Sequence, residues 1–144
     1  MSVIPEKRIS GGIDADSEYW EALGRGEFAL PVCSGCKKVV WPANVRCGDC
    51  GSWDFDWPTR PALGGVYSWT RTWYPFDRTK ERAEDVPYVT LLVEVDGANG
   101  ARVIGMLADG SPEGNPRIGA RVHGTILPPS EKSKGYPSIT WALD

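Results

Sequence analysis

The sequence has few of the residues and motifs on which catalytic sites are usually built. It contains one histidine, His123, and all four of its cysteines lie between Cys33 and Cys50. A nucleophile activated by a neighbouring base therefore has few residues from which to form. No G-x-S-x-G, G-x-G-x-x-G or Walker A sequence occurs, which argues against the corresponding hydrolase, dinucleotide-binding and P-loop classes. We expect no catalytic residues in this chain.

An excess of positive charge and a long apolar run are also missing. The formal net charge is −3, and residues 64–144 carry nine basic and ten acidic side chains. Because phosphate binding depends on Lys and Arg, nucleic acid is not an expected partner. No run approaches the roughly 18 apolar residues of a membrane span, and the first residues, MSVIPEKRISGG, show no apolar leader. We expect a cytoplasmic protein with no membrane association.

The four cysteines form two CxxC pairs within CSGCKKVVWPANVRCGDC. A disulfide framework is not expected in a reducing compartment, and a redox-active CxxC does not explain a second matched pair. Two such pairs, ten residues apart, are typical of a zinc ribbon, and iron is the alternative metal for four thiolates. Four protein ligands leave no open position, so the predicted metal is structural. Its predicted ligands are Cys33, Cys36, Cys47 and Cys50.

The chain is predicted to be mainly β, with three parts in order. Residues 1–26 form an arm and a short helix, residues 27–60 the zinc ribbon, and residues 61–144 a barrel. Five β-rich runs separated by turn residues predict a five-stranded OB-fold. They are VYSWTRTWY, YVTLLVEVD, ARVIGMLA, RVHGTIL and YPSITWALD.

Two groups of aromatic residues are candidates for binding. In the first, spacing along the short helix places apolar residues on one face, which packs either on the chain's own body or on a partner. With the ribbon tryptophan they form the predicted partner interface: Tyr19, Trp20, Leu23 and Trp41.

The second group adjoins the longest polar insertion, PFDRTKERAEDVP, which also carries Arg78, Lys80 and Arg82. Rings beside cations suit a nucleotide-like ligand, although nearby acidic residues also allow an ordinary solvated loop. The residues predicted to lie near a substrate are Arg71, Trp73, Tyr74, Phe76 and Tyr88.

Four segments, in this order over residues 16–127, carry a resemblance to a known family. They are YWEALGRGEFALPVCSGCKKVVWPANVRCGDCGS, GGVYSWT, VPYVTLLVEVD and RIGARVHGTI. This order resembles the acyl-CoA-associated OB-fold family with an N-terminal rubredoxin-like zinc ribbon. The aromatic helix that leads directly into the ribbon is the most specific part of the match.

The resemblance implies a non-catalytic accessory subunit in a hetero-oligomer with a thiolase-fold enzyme, of thiolase or retro-aldolase type. It also implies that the OB-fold helps to hold a CoA thioester while the partner supplies the catalytic residues. Two alternatives stay open at this point. One is a nucleic-acid-binding zinc-ribbon and OB-fold module, and the other is a self-sufficient small acyl-CoA hydrolase.

Overall fold

The computed structural model describes residues 15–108 and 114–144. The predicted arm lies outside these residues, and so does Asp14, which the sequence offers beside Asp16 as a cap for the short helix. The helix, α1, spans Ser17–Gly24 and follows Asp16. Asp16 does not cap the helix with its side chain, because its carboxylate accepts a 3.0 Å hydrogen bond from the Trp20 indole N–H. No helix among the described residues combines the length and the apolar character that crossing a bilayer requires.

The ribbon contains two short strands, β1 (Val32–Cys33) and β2 (Phe55–Asp56), which pair antiparallel. The segment KVVWP, which follows the first CxxC pair, contributes one isolated bridge between Val32 and Val39. The tight turn after Cys33 uses its backbone groups locally, with the Cys33 N–H donating to Lys38 O at 2.9 Å. The ribbon therefore has little regular sheet of its own.

The barrel has five strands: β3 (Leu63–Thr72), β4 (Tyr88–Val95), β5 (Arg102–Leu107), β6 (Arg121–Leu127) and β7 (Ser138–Leu143). They close in the order β3-β4-β5-β7-β6, and β6 returns to β3. The β5–β7 pair is parallel, and the other pairs are antiparallel. This closed Greek-key barrel confirms the predicted OB-fold. The polar insertion between β3 and β4 contains a 3-10 helix, Asp77–Asp85, where the sequence predicted only a loop.

One hydrophobic cluster joins the helix, the ribbon and the barrel. Leu30 of the ribbon and Trp141 of β7 are fully buried, and the Phe28 ring lies edge-on to Trp141 at 6.1 Å. Gly105 makes room for this packing, because a Cβ there would lie 2.7 Å from the Trp141 ring. The three parts therefore share one core, while the predicted boundaries at residues 26/27 and 60/61 stay predictions.

Candidate functional site

The four cysteines meet in one cluster. Their Sγ atoms all lie within 4.8 Å of one another, with 3.4 Å between Cys33 and Cys50 and 3.7 Å between Cys36 and Cys47. A tetrahedral zinc site with bonds of about 2.3 Å has sulfur atoms about 3.8 Å apart. No disulfide joins these cysteines. The cluster therefore fits a single tetrahedral metal ion with four thiolate ligands.

Backbone amides favour the thiolate form of the first cysteine in each CxxC pair. The Cys36 N–H points at Cys33 Sγ at 3.5 Å, and this hydrogen bond lowers the pKa of the Cys33 thiol to about 6. The Cys50 amide acts in the same way in the second pair and lowers the pKa of Cys47. The backbone hydrogen bond from Lys38 lowers the pKa of the Cys36 thiol, but burial and hydrogen bonds with the neighbouring thiols outweigh it and raise this pKa to about 11. Metal ligands must be deprotonated, so a cation that binds here displaces protons from the cluster. All four positions come from the protein, so the centre is built for structure rather than catalysis.

The cations near the cluster are largely engaged with other groups. Lys38 pairs with Asp49 at 3.1 Å, and the hydrogen bond to Asp49 raises the pKa of Lys38. Arg46 donates to Gly51 O at 3.0 Å and lies over the Trp53 ring at 5.4 Å. The positive charges of Lys38 and Arg46 therefore also interact with an acidic side chain and an aromatic ring, and not with the sulfur atoms alone.

The aromatic loop, residues 73–87, displays three rings at the surface. Trp73, Tyr74 and Phe76 are 70%, 66% and 56% exposed. The Tyr74 and Phe76 rings make an edge contact at 5.2 Å. A group of exposed aromatic rings on one loop belongs to a binding surface more often than to a loop that contacts only solvent.

The other two residues of the predicted substrate group lie at the base of this loop. Arg71 sits between the Trp69 and Trp73 rings, at 5.3 and 5.7 Å, and donates to Asn115 Oδ1 at 2.9 Å. Tyr88 begins β4, opposite Thr72, and is half-buried. The structure therefore brings three of the five predicted residues together at the surface and places Arg71 and Tyr88 beneath them.

The predicted partner interface divides in the same way. Tyr19 and Leu23 are 3% and 2% exposed and belong to the chain's own core. Trp20 and Trp41 are half-buried, and the Trp41 ring lies 4.6 Å from that of Tyr19. Because Tyr19 and Leu23 pack inward, Trp20 and Trp41 are the members of the predicted interface that keep part of their surface exposed.

A second loop at the barrel end was not singled out from the sequence. The lysine loop, residues 128–137, joins β6 to β7 and places Lys132 and Lys134 against the aromatic loop. In OB-folds the loop after the first strand and the loop after the fourth strand flank the ligand site, and these are the same two loops. The available signal is the pair of lysines in the segment PPSEKSKG, which lies between the fourth and fifth of the predicted strands.

His123 lies on the exposed side of β6. Its Nδ1 is 2.7 Å from Asp144 Oδ1 near the end of the chain, away from the aromatic loop. All four cysteine thiols belong to the cysteine cluster. Cys–His chemistry is therefore not assembled within the described residues.

Comparison with known proteins identifies the family. Residues 20–56 match the rubredoxin-like zinc ribbon domain of ChsH2, and residues 57–126 match its C-terminal OB-fold domain. The chain belongs to the ChsH2 family of zinc-ribbon and OB-fold domains. This confirms the resemblance seen in the sequence.

Individual relatives agree with this family and differ in length. A protein of Thermomonospora curvata named probable enoyl-CoA hydratase alpha subunit is 30% identical over 102 residues, which cover 70% of this chain. The match spans only 30% of that relative's length. This chain therefore corresponds to less than a third of the longer relative.

Two solved structures share the fold. One, described as an Ltp2-ChsH2(DUF35) aldolase, has a TM-score of 0.76 at 24% identity and covers 94% of this chain and 98% of its own. The other is a DUF35-family protein of unknown function from Sulfolobus solfataricus, with a TM-score of 0.58 at 19% identity, covering 94% and 89%. Both superpose over nearly the whole chain, so the fold extends across the ribbon and the barrel.

Proposed function

We propose that this chain is a non-catalytic accessory subunit of a thiolase-fold enzyme that acts on CoA thioesters. The observation that carries the proposal is the group of three exposed rings on the aromatic loop. The histidine and the cysteines of the same chain form no nucleophile–base pair. Such a surface binds and positions, while a partner must supply the reacting groups. The name of the solved aldolase pairs a ChsH2 chain with a second protein, which supports a hetero-oligomer.

The ligand of the complex is proposed to be an acyl-CoA, with the aromatic loop at the entrance to the partner's active site. The rings of Trp73, Tyr74 and Phe76 offer apolar area for an acyl or pantetheine chain, and they exclude water from it. Rate is then gained by holding the thioester in place rather than by chemistry on this chain. The name of the T. curvata relative, which refers to an enoyl-CoA, is in keeping with this substrate class.

The metal of the cysteine cluster is proposed to be zinc, with a structural role. It would hold two loops of a ribbon that has only two short strands of sheet, and so keep Trp41 in position beside α1. The exposed edges of Trp20 and Trp41 are proposed to contact the thiolase-fold partner.

The test is turnover of an acyl-CoA by the partner alone, by this chain alone and by the two together. We expect activity only in the complex. Trp73→Ala and Tyr74→Ala should lower turnover at least tenfold while the complex still assembles in gel filtration. Trp53→Ala is the matched control, since Trp53 is also 66% exposed but lies on the ribbon.

Three results would overturn the proposal. The partner could be fully active and stable without this chain, or this chain alone could hydrolyse an acyl-CoA. The Trp53→Ala control could also lose as much turnover as the aromatic-loop variants, which would remove the role assigned to that loop.

A further inference from the structure

The two loops at this end of the barrel are joined by charged contacts. Lys132 Nζ lies 2.6 Å from Asp85 Oδ1, and Lys134 Nζ donates to the backbone carbonyl of Arg78 at 2.5 Å. Arg82 also reaches Asp85, at 3.6 Å. The lysine loop therefore contacts both ends of the 3-10 helix Asp77–Asp85, which forms the outer part of the aromatic loop.

Among the described residues, few other hydrogen bonds or ion pairs reach the 3-10 helix of the aromatic loop. Its 3-10 helix contains no buried residue, and Thr79 departs from helical geometry within it. A hydrogen bond from the Thr79 N–H to Phe76 O, at 2.9 Å, is local to the loop. A segment without buried side chains opens easily, so contacts from a neighbouring element decide how well it is held.

The lysine loop, by contrast, is braced internally and against α1. Ser133 Oγ donates to Tyr136 O at 2.6 Å, and the Gly135 N–H donates to Ser130 O at 2.9 Å. The Tyr136 ring packs edge-on to Trp20 at 5.0 Å. The lysine loop is therefore fixed by its own hydrogen bonds and by its contact with α1, and it can hold the aromatic loop in position.

The backbone of Lys134 adds a separate indication. Its φ is +56°, a conformation that glycine adopts at lower cost than lysine. Glycine follows directly, at Gly135, with φ +83°. A lysine kept in a strained position is a pointer to the use of its side chain, and here that side chain contacts the aromatic loop.

We propose that the lysine loop is a positioning element for the aromatic loop, with Lys132 and Lys134 as positioning residues. They hold the 3-10 helix so that Trp73, Tyr74 and Phe76 face outward. This deepens the proposed function and rests on it for its meaning in turnover, but the contacts themselves can be tested on the chain alone.

The test is amide hydrogen–deuterium exchange of the metal-loaded full chain. Lys132→Ala and Lys134→Gly remove the contacts, and glycine keeps the backbone conformation of residue 134. For contacts as exposed as these, each variant should speed exchange in residues 77–85 about two- to fivefold, and the double variant should speed it further. Exchange in β4 should not change. Lys132→Arg keeps the cation and should restore most of the protection.

The control Arg117→Ala removes an exposed cation outside both loops. Unchanged exchange in the double variant, or an equal increase in Arg117→Ala, would overturn the positioning role. In the assembled complex the double variant should raise the KM for the thioester while assembly is kept. If exchange in residues 77–85 rises but KM and kcat do not change, the positioning role stands and the proposed function of the aromatic loop is wrong.

Discussion

Asn99 provides a sharp test of how the ribbon is attached to the barrel. It lies in the turn between β4 and β5 and makes two hydrogen bonds to one ribbon residue. The Val39 N–H donates to Asn99 Oδ1 at 2.7 Å, and Asn99 Nδ2 donates to Val39 O at 3.3 Å. Its φ is +42°, which asparagine tolerates better than most residues. One side chain therefore serves both the turn and the contact between the parts.

The expected loss of stability can be divided by substitution. Asn99→Ala removes both hydrogen bonds, each worth about 0.5–1.5 kcal/mol net, and places alanine at positive φ at a cost of about 1 kcal/mol. The free energy of unfolding should fall by about 2–4 kcal/mol. Asn99→Asp keeps the acceptor for the Val39 N–H and tolerates the same backbone, so its loss should be about 1 kcal/mol.

Denaturant unfolding of the metal-loaded chain measures these losses, since a lower midpoint at unchanged slope reports stability. Hydrogen exchange locates them. Faster exchange should appear at Val39 and Val40 and in the ribbon, while β4 and β7 keep their protection. If Asn99→Ala and Asn99→Asp both lie within about 0.3 kcal/mol of the unchanged chain, the contact contributes nothing and the reasoning fails. Faster hydrogen exchange confined to the barrel would also refute the reasoning.

Three further predictions concern the metal, acid sensitivity and nucleic acid. Protein purified without added metal should hold one zinc per chain, and Cys47→Ser should lose it and unfold the ribbon more than the barrel; a folded chain with four free thiols and no metal would contradict this. Arg121 hydrogen-bonds Asp96 and lowers the pKa of that carboxyl below its usual 3.8, so the pair stabilises the fold above about pH 4 and this contribution is lost as pH falls further. Unfolding measured from pH 6 to pH 2 should show a smaller acid-dependent loss in Arg121→Gln, and identical profiles would exclude the pair as a source. Fluorescence anisotropy should show no salt-sensitive binding of single-stranded DNA at micromolar concentration, and such binding would favour the nucleic-acid alternative.

The sequence predicted the cysteine cluster and the barrel because both leave local patterns. Ligand spacing within a CxxC pair is fixed by the turn it forms, and the run RVHGTIL coincides with β6, Arg121–Leu127. The contacts of Lys132 and Lys134 had no such pattern. They join positions 47 and 56 residues apart, and the closing of the barrel alone brings these loops together.

The helix shows a different limit of sequence reasoning. Periodicity placed Tyr19 and Leu23 on one apolar face but could not decide between a partner and the chain's own core. The outcome depended on the size of the core available, and Phe28, Leu30 and Trp141 enlarge it by joining the ribbon to the barrel. Burial also raises the pKa of Tyr19, in keeping with a ring enclosed by its own chain.

Among the aromatic residues, exposure distinguishes those that build the core from those that are proposed to bind a ligand. Trp141 and Tyr19 are buried because the shared core needs their volume, whereas the rings of the aromatic loop stay outside it. The 3-10 helix beside these rings contains no fully buried residue, so core packing contributes little to this outward arrangement. The support comes from the lysine loop, and that loop is braced by Ser133 and by the contact between Tyr136 and Trp20. A partner that engages Trp20 would therefore act on the same support that fixes the aromatic loop. The ring contact between Tyr136 and Trp20 and the contacts of Lys132 and Lys134 then link the proposed interface to the proposed ligand site.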